Sequence, residues 1–383
     1  KNIYKSYNYF VGQALEFHKK NQSKGAITYS QLQKRLRSLE IVKREIFFSY
    51  LPLSHIAERL LVEMCSLYTG SRVYFAESLE TFSANLSYVS PTVFLGVPRI
   101  WTKFQQGILL KLPQKKLDRL LKIPFISFLI KNKIKKGLGL KRANNVFTGA
   151  APTPTATINW FAKLGIFIQE AYAMTENTCY SHVTLKDNIR VGYVGQALPK
   201  CEVRFSEEKE ILIKHEALML GYYKDVDQTN DIIKDGWLYT GDEGEIDKDG
   251  FLKITGRVKD IFKTSKGKYI APSPIEMKLS ENSNIEQVCV VGTGIPQPIA
   301  LVVLSENAKK LVNYKVSIEE TLIDVNLTLD KHEVVHNLIV VDDVWTVENK
   351  FLTPSMKIKR KNIEKKYQAN YSTWYDQNTI VVL

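Results

Sequence analysis

Gln169-Glu170-Ala171-Tyr172-Ala173-Met174-Thr175-Glu176 is the stretch on which the reading of this chain turns, with Gly149-Ala150-Ala151-Pro152 before it and Tyr239-Thr240-Gly241-Asp242 after it. Small residues let a backbone approach a flat ligand. A Tyr ring can stack on a base, and a Thr-Glu pair supplies a phosphate-binding hydroxyl beside a carboxylate suited to magnesium. An Asp after a tight Thr-Gly turn can accept from both hydroxyls of a ribose. Each element alone is more often structural than functional, but three in order within one chain are hard to ascribe to chance.

Outward from these motifs, the composition is that of a globular chain. It has 383 residues, 44% hydrophobic and 24% charged, with 20 Gly and 13 Pro, which excludes disorder, collagen and a small stapled scaffold. The four cysteines, Cys65, Cys179, Cys201 and Cys289, are far apart with no C-x-x-C pair. That argues against a zinc ribbon, a redox motif or a secreted disulfide framework, and a reducing cytoplasm is expected. The net charge of +13 is concentrated between Lys103 and Arg142, where 12 basic side chains face only Asp118. The apolar runs in this segment fall well short of a membrane span, so it is expected to lie on a bilayer rather than cross it. No aromatic interleaving or known module points to nucleic acid, and none is expected as a partner. No secretory n-region, h-region or cleavage site opens the sequence, and residue 1 is Lys, so a trimmed or incomplete chain is expected.

The pattern of the first two thirds is α/β. Short buried strands are expected at 72–75, 92–96, 145–147 and 166–169, each followed by a helical or turn-rich segment, and a helix closing at 279–282. After about residue 190 the rhythm changes to Gly-punctuated strands, with tight turns expected in DGWLYTGDEGEI and DKDGFLKITGR. A third style, alternating helices and strands on a Lys-rich background, begins near Val258. His332-Glu333-Val334-Val335-His336 fits the H-E-x-x-H zinc pattern, but no third ligand is evident and the β-branched pair runs into strand-like Leu-Ile-Val-Val. An ordinary surface helix end is the expectation there.

The ordered set of motifs resembles the AMP-forming long-chain acyl-CoA synthetases of the adenylate-forming superfamily. The likeness runs from about Phe47 to Tyr367. Besides the three motifs above, it includes YLPLSHIAER (50–59), GVPRIW (96–101), ITGRVKDIFKTSKGKYIAPSPIE (254–276) and LTPSMKIKR (352–360). The resemblance implies an α/β fold. A large N-terminal domain over 1–258, truncated or internally deleted, would carry parallel αβ layers and a β-rich subdomain, followed by a small, mobile α+β C-terminal domain over 259–383. It also implies a two-step reaction on ATP, Mg2+, CoA and a long-chain fatty acid, passing through acyl-AMP; the cysteine pattern and the basic 103–142 segment add the expectation of a cytoplasmic protein peripheral to the inner membrane face.

Carried over by that resemblance, Gly149, Ala150, Ala151, Pro152, Gln169, Glu170 and Ala171 would line the nucleotide site. Tyr172 would stack on adenine, Thr175 would hold phosphate, Glu176 would bind magnesium, and Asp242 with Arg257 would grip the ribose. Lys357 would be the mobile catalytic lysine bridging the carboxylate and α-phosphate. Lys259 would be the hinge, and Lys263 and Gly267 would sit on a loop brought in for thioester formation. His55 would lie near the acyl carboxylate. Trp101 is a candidate for the acyl tunnel wall, with plain core packing as the alternative.

The family's Ser/Thr/Gly-rich phosphate loop has no counterpart in this sequence. One placement sets Asn21-Gln22-Ser23-Lys24-Gly25 against its end. Another aligns Ile27-Thr28-Tyr29-Ser30-Gln31-Leu32 with an earlier I-T-Y-x-E-L segment, in which case an internal block has been lost. Either way the anion-binding nest of backbone amides is missing. The 1–258 region is also shorter than the family's N-terminal domain, so part of its sheet and acyl-site wall is expected to be absent. The alternative reading is therefore a catalytically impaired remnant that binds AMP or acyl-AMP without making it.

Overall fold

The computed structural model describes residues 45–78, 80–353, 357–377 and 379–382. Both placements of the phosphate-loop remnant lie outside the described residues.

Ile46–Ser49 (β1), Arg72–Phe75 (β2), Val93–Gly96 (β3), Asn145–Thr148 (β4), Gln169–Tyr172 (β5), His182–Val183 (β6) and Gln196–Ala197 (β7) form one sheet in the order β2-β1-β3-β4-β5-β6-β7. The pairs from β2 through β5 are parallel, and β5-β6 and β6-β7 are antiparallel. Successive residues of β1, β3 and β4 enter opposite cores. Phe48, Phe94 and Val146 pack on one face with Phe82, Trp101, Phe104 and Phe161, while Phe47, Val93 and Phe147 pack on the other with Val62, Cys65 and Tyr180. A strand buried on both faces reads as an unbroken apolar run, which is why Ile-Phe-Phe and Val-Phe-Leu do not alternate with polar residues. Two details differ from expectation. β2 is an edge strand whose Phe75 is exposed, and the fourth strand starts at Gln169, because Ile166 and Ile168 enter the core before pairing begins.

The chain leaves β1 to form β2 on one side and returns to form β3 on the other. This reversal makes a crevice beyond the carboxyl ends of the strands, where open α/β sheets bind ligands.

A second, antiparallel sheet contains Glu202–Phe205 (β8), Glu210–Lys214 (β9), Ile233–Lys234 (β10), Trp237–Ile246 (β11) and Leu252–Arg257 (β12). Lys234 pairs with Trp237 across Asp235 and Gly236, at φ 52° and 77°. Two consecutive left-handed residues make a type I′ turn, which Asp-Gly favours. Thr240-Gly241 is not a turn, however. It lies inside β11 where the register against β9 shifts, so it is a bulge, with Gly241 at φ 72°.

After a short hairpin of Phe262–Lys263 (β13) and Tyr269–Ile270 (β14), a mixed sheet is built from Ile285–Val291 (β15), Ile299–Leu304 (β16), Leu338–Val340 (β17) and Ile380–Val382 (β18). Val288, Val290, Ala300 and Val302 meet the Pro272–Leu279 and Tyr314–Asn326 helices. Cys289, Val291, Leu301 and Val303 meet Trp345 and the Arg360–Tyr367 and Tyr371–Tyr375 helices. Here too each strand is buried on both faces. His332 to His336 forms a turn and a connecting segment rather than the expected helix end, so its imidazoles are not stacked on one helical face, and the His336 ring lies 4.0 Å from the Tyr375 ring.

Candidate functional site

The residues that follow β1, β3, β4 and β5 converge on one cleft of about 1790 Å³. His55 comes from after β1, Arg99 from after β3, Gly149 to Thr155 from after β4 and Ala173 to Glu176 from after β5. Its far wall is supplied by Asp242, Arg257, Lys259 and Lys357.

The loop after β4 is pinned by Thr148 and Thr153, whose hydroxyl oxygens are 2.7 Å apart. Gly149 lets the loop approach β5 closely, since a Cβ there would lie 3.0 Å from the Ala171 carbonyl oxygen and one of the two would have to give by a few tenths of an ångström. Ala150 sits at φ 70°, a left-handed conformation that costs a non-glycine residue about 1 kcal/mol or more. The loop after β5 is organised by the buried Asn177, whose side-chain oxygen accepts from the Met174 and Tyr180 amides. Thr175 and Glu176 are thereby held at the cleft. Tyr222 donates to Glu176 Oε1 at 2.8 Å.

Asp242 is placed by the bulge in β11. The Gly241 amide donates to Glu210 Oε1 at 2.7 Å, Thr240 Oγ1 donates to the Ile211 carbonyl, and the Asp242 amide donates to Thr240 Oγ1. Asp242 is directly opposite Arg257 in the β11-β12 register, and Arg257 Nε is 2.9 Å from Asp242 Oδ1. The other carboxylate oxygen accepts from the Tyr172 hydroxyl at 2.9 Å. Both oxygens are therefore oriented before any ligand arrives. Burial pushes the Asp242 carboxyl above its ordinary range, against the opposing pull of Arg257 and Tyr172. Burial, then the Asp242 charge, holds the Tyr172 phenol well above its usual value.

Lys357 enters from a hairpin in which Leu352 pairs with Ile358 and the Thr353 amide donates to the Lys357 carbonyl at 2.8 Å. Its side chain keeps solvent contact but stands in a concave wall. Desolvation there and the Arg257 charge lower its pKa, while Asp242 and Glu176 oppose the shift. His55 is lowered by burial and by Lys357. Its Nδ1 accepts from the Ala57 amide at 3.2 Å, so the neutral ring carries its proton on Nε2. Burial pushes Glu170 up to about 7, opposed by the Gly192 amide that donates to it.

Gly149, Ala150, Ala151, Pro152, Glu170, Ala171, Tyr172, Thr175, Glu176, Asp242, Arg257, Lys259, Lys357 and His55 thus all line the cleft. The remaining expected site residues lie elsewhere. Trp101 is fully buried, donates to the Gly96 carbonyl at 2.9 Å and packs edge-on against Phe94, Phe104 and Phe161, so it is a core residue and not a tunnel wall. Gln169 is buried with its amide donating to the Thr184 carbonyl, which makes it a strand-to-strand tie rather than a ligand contact. Lys263, which lies over the Tyr269 ring, and Gly267, at φ 76°, belong to the β13-β14 hairpin and do not line the cleft. Asn177, Tyr222 and Glu210 were missed in the sequence, because no spacing rule connects them to the residues they orient.

Residues 18–223 match the AMP-binding enzyme family, and residues 259–379 match the AMP-binding enzyme C-terminal domain. The chain belongs to the AMP-binding enzyme family. Among relatives of this family, a long-chain-fatty-acid–CoA ligase of Xenopus laevis is 28% identical over 402 residues, covering 87% of this chain and 54% of the relative. Long-chain-fatty-acid–CoA ligase 5 of Mus musculus is 30% identical over 384 residues, covering 87% and 56%. The chain thus spans little more than half the length of these relatives. In fold it is similar to the adenylation domain of a carboxylic acid reductase from Segniliparus rugosus, solved with AMP and a co-purified carboxylic acid. The TM-score is 0.70 at 23% identity, over 86% of this chain and 54% of that one. The chain is accordingly an α/β protein of the AMP-binding enzyme family.

Proposed function

We propose that this chain is a long-chain fatty acid CoA ligase. The observation that carries the reading is the Tyr172–Asp242–Arg257 cluster at the carboxyl ends of the strands, with Lys357 reaching it from the C-terminal region. In this reading the Asp242 carboxylate accepts from the ribose hydroxyls, and Tyr172, already fixed through its hydroxyl, offers its ring face to adenine. Thr175 donates to phosphate. A fatty carboxylate oxygen attacks the α-phosphorus of ATP, the bond to pyrophosphate breaks, and acyl-AMP forms. Lys357 meets the negative charge that grows between the carboxylate and the α-phosphate, where a compact ammonium suits a role as a point charge. The CoA sulfur then attacks the acyl carbon, losing its proton as AMP leaves.

Glu176 fits a magnesium ion held mainly by phosphate and water, because it offers a single carboxylate with one oxygen engaged by Tyr222. When bound, the ion neutralises phosphate charge. Lys259, in a short turn after β12, is the proposed hinge between 1–258 and 259–383, with Lys263 and Gly267 on the loop proposed to enter for the thioester step.

A peripheral membrane contact belongs to the same proposal. No helix among the described residues is long and apolar enough to cross a membrane. Yet the Pro124–Gly137 helix exposes Phe125 (73%) and Phe128 (64%) on one face, beside Lys122, Lys133 and Lys136, an arrangement suited to anionic lipid.

The test is fatty-acid-dependent ATP–pyrophosphate exchange, run beside thioester formation from synthetic palmitoyl-AMP and CoA. Exchange is expected. Thioester formation without exchange would favour a ligase that has lost its first half-reaction, and absence of both would overturn the proposal.

A further inference from the structure

Lys357 lies in the cleft because residues 259–383 are docked against the segments that follow β3 and β4 as well as against β12, so contacts that fix that docking also position the lysine. Arg99, in the first turn of the Pro98–Lys111 helix after β3, reaches across to Glu286 in β15, with Nη2 2.7 Å from Oε1 and each side chain about one fifth exposed (20% and 18%). Weaker contacts flank this pair. Thr155 donates to Glu281 at 3.2 Å, and Gln106 approaches the Ser283 carbonyl at 3.5 Å. All three contacts end on residues 281–286, just after the Pro272–Leu279 helix.

From there a second set of bonds leads to the lysine. Glu276 of that helix accepts from the Val290 amide in β15 at 2.7 Å and from Arg360 Nη2 at 2.7 Å. Arg360 also donates to the Val290 carbonyl at 2.7 Å. Arg360 is three residues beyond Lys357 and opens the helix that follows its hairpin. The guanidinium thus fixes the hairpin to the strand that Arg99 holds.

We propose that Arg99 and Glu286 form a docking pin that positions Lys357 beside Asp242 and Glu176, relayed through Glu276 and Arg360. Arg99 is a positioning residue with no part in the chemistry. A half-buried, charge-assisted pair is suited to this, since it is directional and its loss leaves an unpaired charge at the seam. The geometric claim stands apart from the ligase reading, and only its kinetic consequence rests on that reading.

Zero-length carbodiimide coupling reads the geometry without substrate. In the wild-type chain, coupled peptides joining Lys357 to Asp242 or Glu176 are expected, measured by mass spectrometry against the Lys253–Glu245 pair, 3.1 Å apart within the second sheet, as internal reference. Arg99→Glu should lower that ratio on the order of threefold or more, as expected when attraction becomes repulsion across one docking pair, and adding Glu286→Arg should restore it. An unchanged ratio, a loss that the double reversal does not rescue, or no Lys357 coupling in the wild type would each overturn the pin. If the chain is a ligase, Arg99→Glu should lower kcat for adenylation with little change in KM for ATP. Absence of both exchange and thioester formation, with rescued coupling, would reject the ligase reading and keep the pin.

Discussion

Asp242 is the residue at which local sequence, strand pairing and charge meet. Its direction is set by a bulge, one oxygen is held by Arg257 and the other by a buried phenol. Glu170 is placed differently. Among the described residues its carboxyl accepts from the Gly192 amide alone, and burial raises it to about 7 from an ordinary value near 4.5. A carboxyl raised on folding contributes stability that is full below about pH 4.5 and lost as pH rises through about 7. Glu170→Gln should therefore melt above the wild type at pH 8 and level with it at pH 4.5, by thermal denaturation at both values. An equal difference at both pH values would rule out a buried, raised carboxyl. At this scale the residue types of their motifs made Tyr172, Thr175, Glu176 and Asp242 stand out, and the resemblance added Arg257 and Lys357; all six line one cleft. Gln169 is buried in the sheet, and of the two readings open for Trp101 the structure has core packing, because a motif position says nothing about which way a side chain points. Arg99 and Arg360 stood in plain view, inside Gly-Val-Pro-Arg-Ile-Trp and Met-Lys-Ile-Lys-Arg, without a task.

Among the elements, turns were legible where a dipeptide fixes two left-handed residues, as Asp235-Gly236 does. Thr240-Gly241 was not, since a bulge exists only relative to the neighbouring strand, and β9 is far enough away in sequence to hide the register. The Pro124–Gly137 helix raises a similar point. Its lysines were visible as a charge excess, but the exposure of Phe125 and Phe128 depends on which face packs on the first sheet, with Ile130 and Ile134 turned to the core. Vesicles with anionic headgroups should bind the chain, with affinity falling as salt rises, and Phe125→Ser with Phe128→Ser should weaken binding further. Binding indifferent to salt and to these two changes would remove the membrane role.

For the whole molecule, the α/β class was legible from apolar runs and their spacing, while the relation between its parts was not. Residues 281–286 carry no motif, yet they supply the contacts that seat Lys357 opposite Asp242. Long-range docking of this kind leaves no periodicity in a sequence. The central claim is that the cleft at the strand ends is a nucleotide site built around Asp242. Calorimetric titration of AMP into the wild-type chain and into Asp242→Ala, with circular dichroism to verify folding, tests it most directly. Saturable binding to the wild type that disappears in a folded Asp242→Ala variant is the predicted result; equal binding to both, or none to the wild type, would contradict it.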